Sequence, residues 1–126
     1  MSELELPAVP ADDLSVSATH EGDAVRVRFT GTADMRVSDA LDRVLKAVHA
    51  EAQGRGAARV DIDFRELEFM NSSCLKSFVT WISLVRELAA EKRYAIRFLS
   101  KPETLWQRRS LHALRCFAVD LISIEA

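Results

Sequence analysis

The sequence predicts a single small α/β domain, with a mixed sheet of about five strands packed by about three helices. The chain has 126 residues, the usual size of one domain that buries its own core. Hydrophobic residues make up 48% of it and no tract is of low complexity, as in ordinary globular proteins. Strand-like and helix-like periodicities alternate in the order β-β-α-β-α-β-α-β, which predicts that the later strands run largely parallel.

The first elements are a short lead and a hairpin. Residues 1–13 contain two prolines and four acids, which indicates a flexible lead or a short edge strand, so the domain itself is expected over 14–126. The stretch LSVSATHEGDAVRVRFTG, residues 14–31, alternates apolar and polar side chains on both sides of a turn at Glu21–Asp23. This pattern predicts two paired strands with one buried face.

An amphipathic helix and a third strand follow the hairpin. Apolar residues recur at helical spacing over residues 41–48, and Ser38 is the expected N-cap of a helix of about four turns. The stretch ARVDIDF, residues 58–64, then alternates as a strand. Its apolar residues predict a buried face, and Asp61 and Asp63 lie on a face that we expect to be open to water.

The second helix is predicted to begin within residues 71–73 and to run to about Lys92. Its apolar stripe should lie deep against the sheet, with polar positions on the opposite side. Cys74, Trp81 and Leu88 recur every seven residues beside this stripe, which indicates a packing role for Cys74.

The last three elements are a strand, a helix and a strand. YAIRFL, residues 94–99, has the apolar content of a strand. Ser100 and Glu103 have the spacing of a capping box for a helix through about Leu114. FAVDLISIE, residues 117–125, closes the chain as a strand. We find no internal repeat and no linker that would divide the domain.

Charge and composition argue against several classes of function. A formal net charge of −2 disfavours nucleic-acid binding, which normally needs a basic face. The two cysteines and three separated histidines form neither a disulfide framework nor a ligand cluster, so no metal and no cofactor is expected. Without a signal-peptide pattern or a long apolar run, we expect a cytoplasmic protein without membrane insertion. The net charge of +3 over residues 101–116 is typical of a solvated helix face.

Four small polar or reactive residues stand where the third strand gives way to the second helix: Asn71, Ser72, Ser73 and Cys74. They fit a helix cap, which local sequence favours, or a phosphorylated serine, stabilised by the N–H groups and dipole of the helix. The same dipole favours a thiolate at Cys74, and hence a nucleophile or redox sensor. No histidine stands at an activating spacing and the G-x-S-x-G elbow is absent, which disfavours Cys74 and the two serines as catalytic nucleophiles.

These residues belong to a longer pattern. ELEFMNSSCLKSFVTWI, residues 66–82, resembles the signature of STAS domains, specifically those of bacterial anti-sigma factor antagonists, in which a strand is followed by two serines and a helix. FTGTADMRVSDAL, residues 29–41, is similar to another segment of that family, with Asp34 and Ser38 at matching places. The resemblance covers about residues 14–125.

The resemblance implies a phosphoprotein that regulates transcription by partner switching, without enzymatic activity of its own. In that family a histidine-kinase-like serine kinase, which is also the anti-sigma factor, binds the domain and phosphorylates the first serine, and a PP2C-type phosphatase reverses the mark. By position the phosphoacceptor is Ser72, and Ser73 ranks after it. The partner-binding residues implied by position or proximity are Asp34, Asn71, Ser72, Ser73, Cys74 and Lys76.

Three residues depart from the family pattern. Asn71 replaces an acid, Cys74 replaces a glycine, and Lys76 replaces a small residue and brings a cation within a turn of Ser72. These departures leave open an alternative in the same family, a STAS docking module of a signalling or transport complex that is not phosphorylated. A redox-active protein that uses Cys74 is a further alternative.

Overall fold

In a computed structural model the chain forms one mixed sheet with helices packed against it. The structure describes residues 2–4 and 13–125. The strands are β1 (Ser2–Leu4), β2 (Leu14–Glu21), β3 (Ala24–Ala33), β4 (Arg59–Met70), β5 (Ala95–Leu99) and β6 (Ile122–Glu125). The helices are α1 (Ser38–Arg55), α2 (Ser72–Arg86) and α3 (Leu105–Phe117). Across the described ranges, no helix combines the length and the apolar character that a membrane crossing requires.

The strands lie in the sheet in chain order. β1, β2 and β3 are antiparallel neighbours, whereas β3, β4, β5 and β6 run parallel. Because crossovers between parallel strands are right-handed, α1, α2 and α3 pack on the same face of the sheet. The predicted α/β class, with about three helices and largely parallel later strands, is confirmed. β1 adds a short edge strand within the predicted lead, and residues 5–12 of that lead lie outside the described residues, so the division at residue 13 stays a prediction.

The core lies between the apolar face of the sheet and the helices. The alternating apolar residues of β3 and β4 are at most 1% exposed: Val25, Val27, Phe29, Val60, Ile62 and Phe64. Phe29, Phe64 and Phe78 of α2 pack edge to face, with ring centroids 5.4, 5.5 and 5.7 Å apart. This geometry stabilises aromatic pairs beyond the area they bury.

The opposite face of the sheet differs from the expectation for Asp61 and Asp63. Both aspartates are only 1% exposed, because arginine side chains cover them. Asp61 accepts hydrogen bonds from Arg59 at 2.6 Å and from Arg97 at 2.9 Å, and Asp63 accepts one from Arg65 at 2.9 Å. Burial raises the pKa of each carboxyl, but the arginine hydrogen bonds outweigh that effect and hold both pKa values below the usual range.

Two predicted helix caps are wrong, because both serines bond elsewhere. Ser38 is the first residue of α1, and its hydroxyl donates to the carbonyl of Met35 at 3.1 Å. Ser100 donates to the carbonyl of Glu125 in β6 at 3.3 Å, and α3 begins only after Thr104. The Ser38 hydroxyl thus bonds to a carbonyl three residues earlier, and the Ser100 hydroxyl to a carbonyl of another strand. Neither hydroxyl is left to cap a helix.

The second helix is shorter than predicted. α2 ends at Arg86, six residues before Lys92. The guanidinium of Arg93 donates to the carbonyls of Arg86 at 2.8 Å and Leu88 at 3.0 Å. These bonds satisfy carbonyls at the end of the helix, which otherwise lack partners.

Candidate functional site

The carboxyl ends of β3 and β4 bring two of the predicted site segments together. Ala33 and Met70, the last residues of these strands, are register partners. The N–H of Asn71 donates to the carbonyl of Ala33 at 2.8 Å. Asp34 and Asn71 therefore leave the sheet as neighbours, at the edge where open α/β sheets commonly place their binding sites.

Asn71 is the residue that caps α2. Its backbone is extended (φ −70°, ψ 153°), and its side-chain oxygen accepts from the N–H and from the hydroxyl of Ser73, both at 2.9 Å. The oxygen of an aspartate at this position would accept the same two hydrogen bonds. The departure at Asn71 thus removes a charge and retains the cap.

The two serines are in different environments. Ser72 is the first residue of α2 and is exposed, and its hydroxyl makes no hydrogen bond within residues 13–125. Ser73 is half-buried, with its hydroxyl engaged by Asn71. An anion on the Ser72 oxygen would lie at the positive end of the helix dipole, where the N–H groups of Ser73 and Cys74 already bond to Asn71.

Asp34 is fixed beside this helix end. It caps a short 3₁₀ turn at Met35–Val37, and accepts from the backbone N–H of Arg36 at 2.9 Å and from its guanidinium at 2.6 Å. The side-chain hydrogen bond from Arg36 holds the pKa of Asp34 below its usual value. The neighbourhood of Ser72 therefore contains a carboxylate that is ionised at neutral pH and paired with Arg36.

Cys74 lies beneath this surface and does not belong to it. Its side chain is 0% exposed, and the thiol donates to the carbonyl of Asp34 at 3.1 Å. Burial raises the pKa of the Cys74 thiol, which opposes a reactive thiolate. The assignment of Cys74 to the partner-binding surface is corrected here: the residue fastens α2 to the Asp34 segment, and its inward position agrees with the packing role predicted from the heptad spacing.

Lys76 is exposed on the solvent side of α2, one turn after Ser72. Residues four apart on a helix face the same way, so the ammonium group can reach a group attached to Ser72. The surface so assembled includes an acceptor hydroxyl, a carboxylate held by Arg36 and an exposed cation. We call it the Ser72 corner, which comprises Asp34, Asn71, Ser72, Ser73 and Lys76.

Two exposed apolar side chains lie close in the chain to residues of the Ser72 corner, and the sequence did not single them out. Met35 directly follows Asp34 and is 67% exposed, and Phe69, two residues before Asn71, is 47% exposed. Strand alternation could have predicted the exposure of Phe69, because adjacent strand residues point to opposite faces and its neighbour Met70 is buried. Nothing in the local pattern distinguishes Met35.

Two solved structures are similar to this chain over most of its length. An anti-sigma factor antagonist from Mycobacterium paratuberculosis matches with a TM-score of 0.67 at 19% identity, over 91% of this chain and 88% of that chain. The anti-sigma factor antagonist SpoIIAA in its unphosphorylated form matches with a TM-score of 0.50 at 14% identity, over 75% and 79%. The fold is that of STAS domains.

The STAS fold confirms, at the level of architecture, the resemblance predicted from the serine motif. No protein-family model matches the sequence, and no curated protein gives a significant match. At these identities the likeness carries the fold alone, and a STAS fold does not by itself specify an activity. The function therefore rests on the chemistry of the Ser72 corner.

Proposed function

We propose that the protein is a regulatory protein of the anti-sigma factor antagonist type, and that its Ser72 corner binds a serine-kinase-type anti-sigma factor. Phosphorylation of Ser72 then ends the complex. One observation carries the proposal: Ser72 presents an exposed, unbonded hydroxyl at the N-terminus of α2. The two structural neighbours that are anti-sigma factor antagonists, one of them described in its unphosphorylated form, support it.

The electrostatics of the corner support a switch in binding. A phosphoryl group adds a charge of about −1.5 to −2 at neutral pH, and the N-terminus of α2 tolerates that charge. Helix α2 therefore stays folded. The new charge stands beside Asp34, whose carboxylate is already paired with Arg36, and within one turn of Lys76. A partner surface that fits the unmodified corner therefore meets an added negative charge and loses that fit.

Apolar contact supplies the binding energy in this proposal. Met35 and Phe69 are large and exposed, and each lies within two residues of a residue of the Ser72 corner in the chain. Such side chains commonly dominate the energy of an interface, while charged groups set its specificity and association rate. A partner that covers both residues also covers Ser72, which brings the hydroxyl to the kinase active site.

Both the phosphorylation and the dephosphorylation of Ser72 are catalysed by the partners. The anti-sigma factor transfers the phosphoryl group from ATP to the Ser72 oxygen, and a PP2C-type phosphatase removes it by hydrolysis. The protein itself contributes the acceptor and its surroundings. Such an exchange of partners takes place in the cytoplasm and needs no contact between this chain and nucleic acid.

The direct test is phosphorylation in vitro. The protein is incubated with the kinase-type anti-sigma factor encoded nearest its gene, ATP and magnesium, and the products are mapped by mass spectrometry. We expect one phosphate, on Ser72, and none in Ser72→Ala. Ser73→Ala is the matched control and should still accept phosphate. Phosphate found only elsewhere would sink the assignment.

A docking module that is never phosphorylated is the second candidate. The observation that favours it is Asn71, which caps α2 without the charge of the motif's acid. The two functions differ in their response to Ser72→Asp. In the switch, that substitution strongly weakens partner binding measured by calorimetry, whereas a docking module binds its partner unchanged.

A further inference from the structure

Most arginines of this protein have hydrogen-bond or ion-pair partners within the fold. Two of them, Arg86 and Arg93, donate to backbone carbonyls. Seven others form ion pairs with carboxylates: Arg26, Arg28, Arg36, Arg55, Arg59, Arg65 and Arg97. An arginine that remains unpaired is therefore an exception in this structure.

The exceptions concentrate on one helix. Arg108, Arg109 and Arg115 of α3 are exposed and make no ion pair or hydrogen bond in the part of the chain that the structure describes. Among the arginines that the structure describes, Arg43 of α1 is the one other that is exposed without an ion pair or hydrogen bond. α3 contains no acidic residue, so nothing on the helix offsets its three charges.

The unpaired arginines lie on one continuous face. Gln107, Leu111 and Leu114 are at most 2% exposed and define the inward side of α3. Leu105, Arg109, His112 and Cys116 follow one another at spacings of four, three and four residues, which aligns them along the outward side. We call the following residues of this face the α3 stripe: Leu105, Arg108, Arg109, His112, Arg115 and Cys116.

The local physics of α3 does not favour Arg108 and Arg109, whereas Arg115 lies in the last turn, where the helix dipole favours a cation. Arg108 and Arg109 are the fourth and fifth residues of α3, in its N-terminal half, where the helix dipole does not stabilise a cation. They are also adjacent to each other, without an acid four residues away to stabilise them. Positions at which a sequence opposes its own local rules are commonly functional. Leu105, 56% exposed in the first turn, adds an apolar residue to the same face.

We propose that the α3 stripe is a second docking surface, which binds an acidic segment of a partner protein. Carboxylates of the partner pair with Arg108, Arg109 and Arg115, and an apolar side chain covers Leu105. The inference goes beyond the proposed function, because no residue of the stripe belongs to the Ser72 corner and no phosphorylation is involved.

The charge distribution decides between an acidic protein segment and a larger polyanion. α3 has 13 residues, so the stripe is about 20 Å long. The chain has a net charge of −2, and without the three stripe arginines it carries −5. A nucleic-acid duplex or an anionic membrane is longer than the stripe, so it also meets the negative charge of the rest of the surface. A short acidic segment contacts the stripe alone.

Cys116 provides a reporter in the native chain. It is exposed within the stripe, with its sulfur 3.6 Å from Nε2 of His112, while Cys74 is buried. The probe is a synthetic peptide of about 12 residues, mostly glutamate with two leucines, chosen to match the stripe length. We expect the peptide to slow alkylation of Cys116 by N-ethylmaleimide in a saturable manner, less so as salt rises.

Charge-reversal variants locate the contact. Arg109→Glu should weaken peptide binding about five- to tenfold, since an attractive contact becomes a repulsive one. Arg43→Glu makes the same charge change on α1 and should leave the affinity within about twofold. Both positions are exposed, so both variants should keep the circular dichroism of the wild type.

Three outcomes overturn the proposal. The first is an unchanged alkylation rate of Cys116 at saturating peptide. The second is an equal loss of affinity in Arg109→Glu and Arg43→Glu, which would indicate attraction to the protein as a whole. The third is tighter binding of duplex DNA, or of vesicles containing phosphatidylglycerol, than of the peptide at the same salt concentration.

Discussion

At the scale of single residues, Asn71 explains how the Ser72 corner keeps its shape without the acid of the STAS motif. The amide oxygen accepts from the N–H and the hydroxyl of Ser73, as a carboxylate would. The cap also keeps the Ser73 hydroxyl occupied and leaves that of Ser72 exposed. Asn71 thereby distinguishes the two serines, which the sequence alone ranked by family position.

This geometry predicts opposite effects for two substitutions at one position. Asn71→Asp keeps the cap and adds a negative charge at the N-terminus of α2, so the free energy of unfolding should rise by about 0.3–1 kcal/mol at neutral pH. Asn71→Ala removes the cap and should lower it by about 1 kcal/mol. Urea unfolding monitored by circular dichroism measures both. A similar loss in the two variants would contradict the cap geometry.

At the scale of elements, periodicity predicted which helices and strands exist and in what order, but not where they end. The boundaries were missed because tertiary bonds decide them, such as those of Ser100 to β6 and of Arg93 to the end of α2. The residues of the candidate site were likewise predicted only in part. Local spacing placed Ser72 at a helix end, while the family resemblance was needed to bring Asp34 beside it.

One hydrogen-bonded chain joins three elements and was invisible in the sequence. The hydroxyl of Tyr94, just before β5, accepts from Nε1 of Trp81 in α2 at 2.9 Å and lies 2.6 Å from Nδ1 of His49 in α1. Trp81 can only donate, so the hydroxyl proton of Tyr94 remains available for Nδ1. When the hydroxyl donates to Nδ1, His49 is neutral and carries its proton on Nε2.

This chain predicts a loss of stability on acidification. Burial lowers the pKa of His49 below its ordinary value of 6.5. The unfolded chain then binds a proton at a pH where the folded protein does not, so stability falls as the pH drops from about 6.5 through the folded pKa. Tyr94→Phe leaves the Trp81 N–H without a partner and should cost about 1–3 kcal/mol.

The measurement is the free energy of unfolding between pH 8 and pH 5.5. His49→Gln should flatten the profile, because the group that titrates is gone. His112→Gln, at an exposed histidine of α3, is the matched control and should retain the slope of the wild type. A slope that survives in His49→Gln would assign the acid sensitivity to another group.

At the scale of the whole molecule, the sheet has helices on one face only, and arginines cover the other. Asp61 and Asp63 lie in the middle strand of that second face, below guanidinium groups from β3, β4 and β5. The strand alternation was predicted correctly, but the burial of the aspartates was not. It depends on arginines of neighbouring strands, whose register the sequence does not reveal.

The arrangement predicts that Asp61 stabilises the molecule far more than an exposed acid with the same partner. Arg97 pairs with buried Asp61 at 2.9 Å and with exposed Glu125 at 3.0 Å. Asp61→Asn leaves arginines of three strands without their shared carboxylate, and should cost about 2–3 kcal/mol at neutral pH, somewhat less than a fully buried pair. Glu125→Gln should cost less than about 0.5 kcal/mol.

The pH dependence separates charge from packing in this comparison. The pKa of Asp61 in the folded protein lies below its ordinary value of 3.8, so its contribution is complete above that pH and is lost as the pH falls through the folded pKa. Denaturant unfolding of wild type and Asp61→Asn should therefore converge on acidification below about pH 4. A difference that persists undiminished to the lowest accessible pH would mean that the aspartate acts through its shape, and that the arginine cover does not depend on its charge.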